Sequence, residues 1–263
     1  MYIRKFMEVD GKSLKDPVAL TGLPGIANVG KIAIDTLIQL LDAKHLMDFY
    51  CKDFPPRVSV QNGITAIPKS SVHLYRATPD EPNDILFLTA DYQPSTTTGV
   101  YEYADFVARE FVNLNVETIY SLAAYEQDFE EYFKSYPSPP RVYVSSSSQK
   151  ILDTISNLEG TAITKEGVIV GANGVIPTWA ASLYNMEGAC LLGETLGVIK
   201  LDFRAAKELL VKVSNLIGID IDLEIMDDPI SKVMEFIEWA RIELERKKET
   251  TDDGESPSDM YIG

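Results

Sequence analysis

Apolar residues follow two spacings along the chain, and together they predict an α/β fold. A short apolar run at 17–21 precedes a Gly- and Pro-rich turn, after which apolar residues recur at helical spacing from Val29 to Leu41. The same succession of strand and helix returns at 85–122, at 141–158 and at 189–218. Strands that alternate with helices usually pair in parallel. We therefore expect a largely parallel mixed sheet.

A different pattern occupies residues 44–77, where short β-type runs are separated by turn residues. Asn62-Gly63 lies between two such runs and is a strong hairpin signal, because both residues tolerate positive φ. This stretch is predicted to be an antiparallel ribbon inserted into the α/β domain.

The C-terminal part of the chain changes character twice. Apolar positions from Val233 to Leu244 predict an amphipathic helix that ends near Lys248 and carries Glu and Lys on its other face. The remaining residues are rich in acids, Ser, Gly and Pro and predict a flexible tail. The predicted units are an α/β domain at 1–225, a helix at 226–248 and an acidic tail at 249–263.

Composition narrows the classes of partner. Forty acidic against 24 basic residues give a formal net charge of -16, which opposes binding to a phosphate backbone. No apolar run approaches the ~20 residues that span a bilayer, and the N-terminus lacks the apolar stretch of a secretory signal. We expect a cytoplasmic protein that binds neither nucleic acid nor membranes.

The segment Gly25–Lys31 has the phosphate-loop spacing GxxxxGK between a strand and a helix. A phosphate loop needs Ser or Thr after the lysine to bind magnesium, and Ile32 stands there instead. We interpret the segment as a structural turn in which Gly22 and Gly25 supply backbone freedom and Gly30 lets the helix approach the sheet. Asn28 is expected to cap that helix.

Candidate enzyme chemistry is sparse. The two histidines, His45 and His73, belong to no hydrolase motif, and no metal-ligand spacing is present. No catalytic residue, metal or other cofactor is expected. Tyrosines crowd the middle of the chain, where they favour either a protein interface or ordinary packing at the edge of the core.

Five short sequence blocks stand out along the chain. The first is the run from Thr21 to Ala33, which has the pattern GxPGxxxVGxxA after an apolar strand. The others are Tyr92-Gln93-Pro94, Gly171-Ala172-Asn173-Gly174, Leu191-Leu192-Gly193-Glu194-Thr195 and Asp202-Phe203-Arg204-Ala205-Ala206. Together these blocks resemble those of the proteasome assembly chaperone type 2 (PAC2) family, as found in archaea, and the resemblance covers roughly residues 10 to 225.

This resemblance implies a three-layer α/β/α fold similar to phosphorylases, self-association into homo-oligomers, and a non-catalytic, chaperone-like role on proteasome core-particle subunits. The alternative is a nucleotide- or nucleoside-binding enzyme with a phosphorylase-like fold. Under the first interpretation, the following positions shape the fold: Gly22, Pro24, Gly25, Gly30, Gly171, Gly174, Glu194 and Asp202.

The last residues resemble a docking motif. Proteins that bind the proteasome α-ring are similar in ending with a hydrophobic residue, Tyr and one further residue. Here Met260-Tyr261 is followed by Ile262 and Gly263, which places the carboxylate about 3.5 Å further on. We expect Met260, Tyr261 and Ile262 to contact the α-ring or its α-subunits from the end of the acidic arm.

Overall fold

The structure is a computed structural model that describes residues 1–252 and their side chains, except the side chains of 244, 245 and 247–252. The strands are β1 Tyr2–Lys5, β2 Val18–Gly22, β3 Lys44–Tyr50, β4 Ser59–Gln61, β5 Ile64–Ala66, β6 Ser70–Tyr75, β7 Ile85–Ala90, β8 Thr118–Glu126, β9 Val142–Ser146, β10 Thr161–Ile163 and β11 Glu187–Thr195. The helices are α1 Val29–Leu40, α2 Thr97–Asn113, α3 Phe129–Ser135, α4 Gln149–Ser156, α5 Ala172–Tyr184, α6 Phe203–Ile217 and α7 Asp227–Asp252.

Nine of these strands form one mixed sheet in the order β1-β3-β6-β7-β2-β8-β11-β9-β10. Its centre, β7-β2-β8-β11, is parallel, as the alternation of strands and helices predicts. The longest register runs from Thr118 opposite Glu187 to Glu126 opposite Thr195. The strands β1, β3 and β6 extend the sheet in antiparallel fashion on one side.

Helices cover both faces of the sheet, which confirms the predicted three-layer α/β/α fold. On one face, α1, α4 and α6 bury apolar side chains such as Ile34, Ile151 and Leu209 against the sheet. On the other face, α2 and α5 bury side chains such as Phe111 and Ile176. None of the helices within residues 1–252 is long and apolar enough to cross a membrane.

The predicted antiparallel insertion divides into two parts. Strands β3 and β6 belong to the main sheet, whereas β4 and β5 form a separate hairpin. Asn62 and Gly63 have φ of 51° and 80°, so the predicted hairpin turn is confirmed. Residues 56–66 are all exposed, and the apolar side chains Val58, Val60 and Ile64 are therefore open to solvent.

The last helix differs from its prediction in length and in polarity. It continues to Asp252, beyond the expected end near Lys248. Val233, Ile237 and Ala240 are buried, as predicted for the inner face. The outer face is not uniformly polar, because Phe236 and Trp239 lie exposed there in ring contact. The division of the chain at 225/226 and at 248/249 remains a prediction.

The central tyrosines mostly contribute to the core. Tyr103, Tyr120 and Tyr132 are buried, whereas Tyr101 is exposed beside Trp179. Of the two interpretations of tyrosine enrichment, ordinary packing therefore holds for these three residues.

Candidate functional site

The carboxyl ends of the four central strands meet at one edge of the sheet, called here the carboxyl edge. Strands β2, β7, β8 and β11 end there at Gly22, Ala90, Glu126 and Thr195. In open α/β sheets, ligands bind outside this edge. The five sequence blocks lie in or directly after these strands or at the start of α5 and α6, so the carboxyl edge is the candidate site.

At two glycines of the β2–α1 turn, other backbone atoms lie too close to leave room for a side chain. This close packing explains the glycines better than a need for unusual backbone angles. A Cβ at Gly22 would overlap the carbonyl oxygen of Gly30, and a Cβ at Gly30 would overlap that of Leu122. Gly25 has an extended φ of -163°, and a Cβ there would meet no heavy atom closer than 3.8 Å. The expectation that Gly22 and Gly25 supply backbone freedom is therefore wrong.

The unusual backbone angles of this turn belong to Ala27 and Asn28, at φ of 49° and 51°. Asn28 occupies the position before α1, but its side chain accepts no hydrogen bond from the helix. Its Nδ2 donates instead to the carbonyl oxygen of Lys200, at 3.3 Å. The predicted capping role of Asn28 is therefore wrong, because its left-handed backbone directs the amide towards the loop before α6.

Two side-chain amides fix the turn to the start of α5. The buried Asn173 accepts a hydrogen bond from Leu23 N at 2.9 Å and donates to Leu23 O at 3.1 Å. Gln93 donates to Pro24 O at 2.5 Å and accepts from Ala172 N at 2.7 Å. Gly171 precedes this helix with φ of 88°, which favours glycine. Hydrogen bonds from side-chain amides to backbone groups thus join the β2–α1 turn to the start of α5, although the two are distant in the sequence.

At the start of α6 and the end of β11, the acidic side chains also accept hydrogen bonds from other groups of the chain. Asp202 caps α6 by accepting a hydrogen bond from Ala205 N at 2.9 Å, and it also accepts one from Thr195 Oγ1 at 2.6 Å. Burial raises the pKa of the Asp202 carboxyl above its usual value, an effect that its hydrogen bonds oppose. The buried Glu194 accepts from Arg141 N and from Gln127 Nε2, at 3.2 and 3.3 Å.

The Lys31 side chain does not point into a site that could bind an anion. Its Nζ lies 2.9 Å from Asp35 Oδ2, one helical turn further on, and donates to Thr89 Oγ1 at 3.1 Å. A phosphate-binding lysine reaches its ligand's phosphates instead. The spacing GxxxxGK therefore does not place a free lysine at the carboxyl edge.

A cavity of about 530 Å³ opens between the β2–α1 turn and the loop after β10; we call it the Gly25 cavity. Gly25, Gln93 and Asn173 line one side of it, and Val168 and Val170 line the other. The charged residues in its lining are Glu126 and Glu166, both acidic. Without a basic side chain in its wall, the cavity does not favour a phosphate or other anion.

A second cavity, of about 490 Å³, lies on the other side of the same loop; we call it the Cys190 cavity. Ser145, Ser146 and Thr178 contribute hydroxyl groups to its wall, beside Trp179 and Cys190. Burial raises the pKa of the Cys190 thiol to about 12. The thiol is therefore protonated at neutral pH and a poor nucleophile.

A separate polar cluster lies on β3 and β6. The buried Asp48 accepts hydrogen bonds from Ser71 Oγ and Lys69 Nζ, both at 2.6 Å, and lies 2.7 Å from His45 Nε2. His73 stacks on His45 with ring centroids 4.9 Å apart, and its buried Nδ1 has no hydrogen-bond partner among the described residues. Burial, with a smaller contribution from His45, lowers the pKa of His73 to about 4.

The structure thus places Gly22, Pro24, Gly25, Gly30, Gly171, Gly174, Glu194 and Asp202 at or near the carboxyl edge. Met260, Tyr261 and Ile262 lie outside the described residues. Sequence reasoning assigned no role to Gln93 and Asn173, although both belong to blocks that it singled out. Their amide side chains between turn residues were the available signal, because such side chains often satisfy backbone groups.

Comparisons with known proteins agree with this arrangement. The PAC2 family model matches residues 19–238. An uncharacterised protein of Methanocaldococcus jannaschii is 27% identical over 256 residues, which are 97% of this chain and 95% of that protein. The crystal structure of Pyrococcus furiosus PbaB, an archaeal proteasome activator, is 28% identical with a TM-score of 0.80, covering 91% of this chain and 98% of PbaB.

Pyrococcus furiosus PbaA, an archaeal homolog of proteasome-assembly chaperone, shares the fold with a TM-score of 0.68 and 24% identity, over 95% of this chain and 98% of PbaA. The family match spans most of the chain and includes all five blocks at the carboxyl edge. The chain therefore belongs to the PAC2 family.

Proposed function

We propose that the protein is a non-catalytic, homo-oligomeric and cytoplasmic chaperone-like factor that binds subunits of the proteasome core particle. The observation that carries this proposal is the likeness to PbaB, which is described as an archaeal proteasome activator. The likeness extends over nearly the full length of both chains, at 28% identity. PbaA, described as a homolog of a proteasome-assembly chaperone, supports the same class of partner through its fold.

The contacts at the carboxyl edge support a binding protein over an enzyme. Asn173, Gln93 and Asp202 direct their polar atoms at backbone and side-chain groups of the chain itself. A catalytic group needs to reach a substrate within hydrogen-bond distance. The competing interpretation, a nucleotide- or nucleoside-binding enzyme, loses support because Lys31 is paired with Asp35 and the Gly25 cavity has an acidic wall.

The proposal includes a docking arm formed by Met260, Tyr261 and Ile262. These residues follow an acidic stretch that favours an extended chain, and Tyr261 is the anchor for a pocket on the α-ring. The acidic body, with its net charge of -16, is consistent with a basic protein surface as partner and disfavours nucleic acid.

Calorimetry with purified archaeal proteasome α-rings tests this proposal. An aromatic anchor in a desolvated pocket contributes about 2 kcal/mol or more, so Tyr261→Ala should weaken binding at least ~30-fold. The matched control is Tyr2→Ala, which removes an exposed tyrosine from β1 and should bind like the unmodified chain. Equal affinities for the unmodified chain and Tyr261→Ala would exclude the docking arm, and no binding by the unmodified chain would contradict the proposed partner.

A second measurement separates activation from assembly. If the protein acts on finished proteasomes, adding it to complete core particles should raise their rate of peptide hydrolysis. If it acts during assembly, it should raise the yield of core particles from separate subunits and leave the rate of peptide hydrolysis by complete particles unchanged.

A further inference from the structure

The loop between β10 and α5 contains a short apolar segment, Gly167-Val168-Ile169-Val170-Gly171, which we call the GVIVG segment. Val168 and Val170 are 88% and 84% exposed, the highest values among the large apolar side chains described. Ile169 between them is half-buried and faces the start of α5, since a Cβ at Gly174 would lie 2.6 Å from its Cγ2. The side chains therefore alternate between outside and inside, as they do in a strand.

The backbone of this segment is unpaired. Within the described part of the chain, no hydrogen bond reaches the N–H or C=O groups of Val168, Ile169 or Val170. The preceding backbone bond is Thr164 N to Val144 O, at 2.9 Å, and the following one is Gly174 N to Gly171 O, at 3.2 Å. A run of β-branched residues whose side chains alternate between outside and inside, and whose backbone groups are unpaired, is a template for pairing with another strand.

The order of residues in the GVIVG segment is the same in both directions. A two-fold interface requires that residue i contact residue j of the other copy, and that j contact i in return. In an antiparallel pair with the axis at Ile169, Val168 of each copy lies opposite Val170 of the other, and Gly167 opposite Gly171. Like residues or equivalent residues then meet at every position, so a second copy of the chain fits this strand in register.

The GVIVG segment itself is neutral, which matters because two chains with a net charge of -16 repel each other. Its nearest charged residues in the sequence, Lys165 and Glu166, have opposite signs, and the charged residues in the wall of the adjoining Gly25 cavity are Glu126 and Glu166. Apolar surface continues beside it, because the exposed Ile26 lines the Gly25 cavity together with Val168 and Val170. The contact area is thereby extended beyond the five residues of the strand itself.

We propose that the GVIVG segment pairs antiparallel with the same segment of a second copy across a two-fold axis. This inference rests on the proposed self-association and names the surface that produces it. The paired strands satisfy the backbone groups on the facing edge, either those of Ile169 or those of Val168 and Val170. The exposed valines of the two copies cover one another.

Light scattering and sedimentation at micromolar concentration test the pairing with a matched pair of variants. Val168→Lys/Val170→Lys places two charges on the proposed interface and should raise the dissociation constant at least ~10-fold, because the lysines lose hydration in the paired state. The control, Val58→Lys/Val60→Lys, makes the same changes two residues apart on the exposed β4–β5 hairpin, where the valines are 57% and 68% exposed. This control variant should form oligomers of the same mass as those of the unmodified chain.

The outcomes separate this inference from the proposed function. An unmodified oligomer that survives Val168→Lys/Val170→Lys would exclude the segment while leaving self-association intact, and an unmodified monomer would exclude both. If both double variants dissociate into smaller species, the effect comes from the added charge, and this result would also overturn the pairing. Hydrogen exchange of the unmodified chain needs no variant. The amides on the paired edge, either that of Ile169 or those of Val168 and Val170, should exchange more slowly as protein concentration rises. Concentration-independent rates for all three amides would contradict the pairing.

Discussion

At the scale of single residues, Asn173 joins the β2–α1 turn to α5 through both atoms of its amide. Asn173→Ala would leave the N–H and C=O of Leu23 buried without these partners. We expect the free energy of unfolding to fall by about 2–4 kcal/mol, since an unsatisfied buried backbone group costs about 1–3 kcal/mol. Urea denaturation measures this change.

The control for this prediction is Asn215→Ala. Asn215 is exposed on α6, where its Nδ2 donates to Val211 O at 2.8 Å. Water can replace that bond, so the change in unfolding free energy should stay within about 0.5 kcal/mol. Equal effects of the two substitutions would show that the bridge from Asn173 to Leu23 contributes little.

Protonation of His73 should lower the free energy of unfolding at acidic pH. Its pKa of about 4 in the folded chain lies below the ordinary value of 6.5, so the unfolded chain binds the proton more tightly. This contribution to stability is complete above pH 6.5 and is lost as the pH falls from 6.5 to 4. Besides His45, the charged groups that act on His73 are Asp48, Asp35 and Lys69.

The measurement is the free energy of unfolding across that pH range for the unmodified chain and for His73→Gln. We expect the unmodified chain to lose about 2 kcal/mol more than the variant, because glutamine takes up no proton. His45→Gln retains His73 and serves as the control, with most of the loss preserved. Parallel curves for the unmodified chain and His73→Gln would show that the His73 imidazole does not contribute.

At the scale of secondary-structure elements, α1 approaches β8 so closely that Gly30 has no room for a side chain. Gly30→Ala would force the helix away from the carbonyl oxygen of Leu122 and should destabilise the fold by about 3 kcal/mol or more. Gly25→Ala is the matched control, since its backbone is extended and the space beside it is open. Its unfolding midpoint in urea should remain close to that of the unmodified chain.

The elements themselves were largely predictable, because hydrophobic spacing is a local property that places strands such as β2 and β7 within a residue or two. The start of α5 at Ala172 does not follow from the local pattern. Asn173-Gly174 and Pro177 indicate a helix break locally. Pro177 has no N–H to donate to the carbonyl oxygen of Asn173, which accepts from the Cys190 thiol at 3.7 Å instead.

The bridges at the candidate site were not predictable in the same way. Asn173 and Leu23 are 150 positions apart, and no pattern within a window of sequence indicates that they meet. The glycine blocks indicated where the backbone is unusual, but the choice between free backbone angles at Gly25 and close approach at Gly30 depends on Leu122, which lies on another strand. Tertiary contacts therefore decide what the local pattern leaves open.

At the scale of the whole molecule, the net charge of -16 opposes self-association. Raising the salt concentration shortens the Debye length from about 10 Å at 0.1 M to about 3 Å at 1 M and weakens this repulsion. Because the proposed contact is neutral and apolar, we expect the dissociation constant of the oligomer to fall as salt rises. Sedimentation equilibrium over this range checks the sign, and weaker association at high salt would indicate an interface held by ion pairs.

The order of strands also determines where a reporter can be attached. Strand β1 forms one end of the nine-stranded sheet, whereas the GVIVG segment lines the Gly25 cavity beside the β2–α1 turn, nearer the middle of the sheet. Four intervals of about 4.8 Å separate β1 from β2 by roughly 19 Å. A fluorescent protein fused ahead of Tyr2 would therefore stand to one side of the paired surface, and single-molecule imaging could follow the pairing without blocking it.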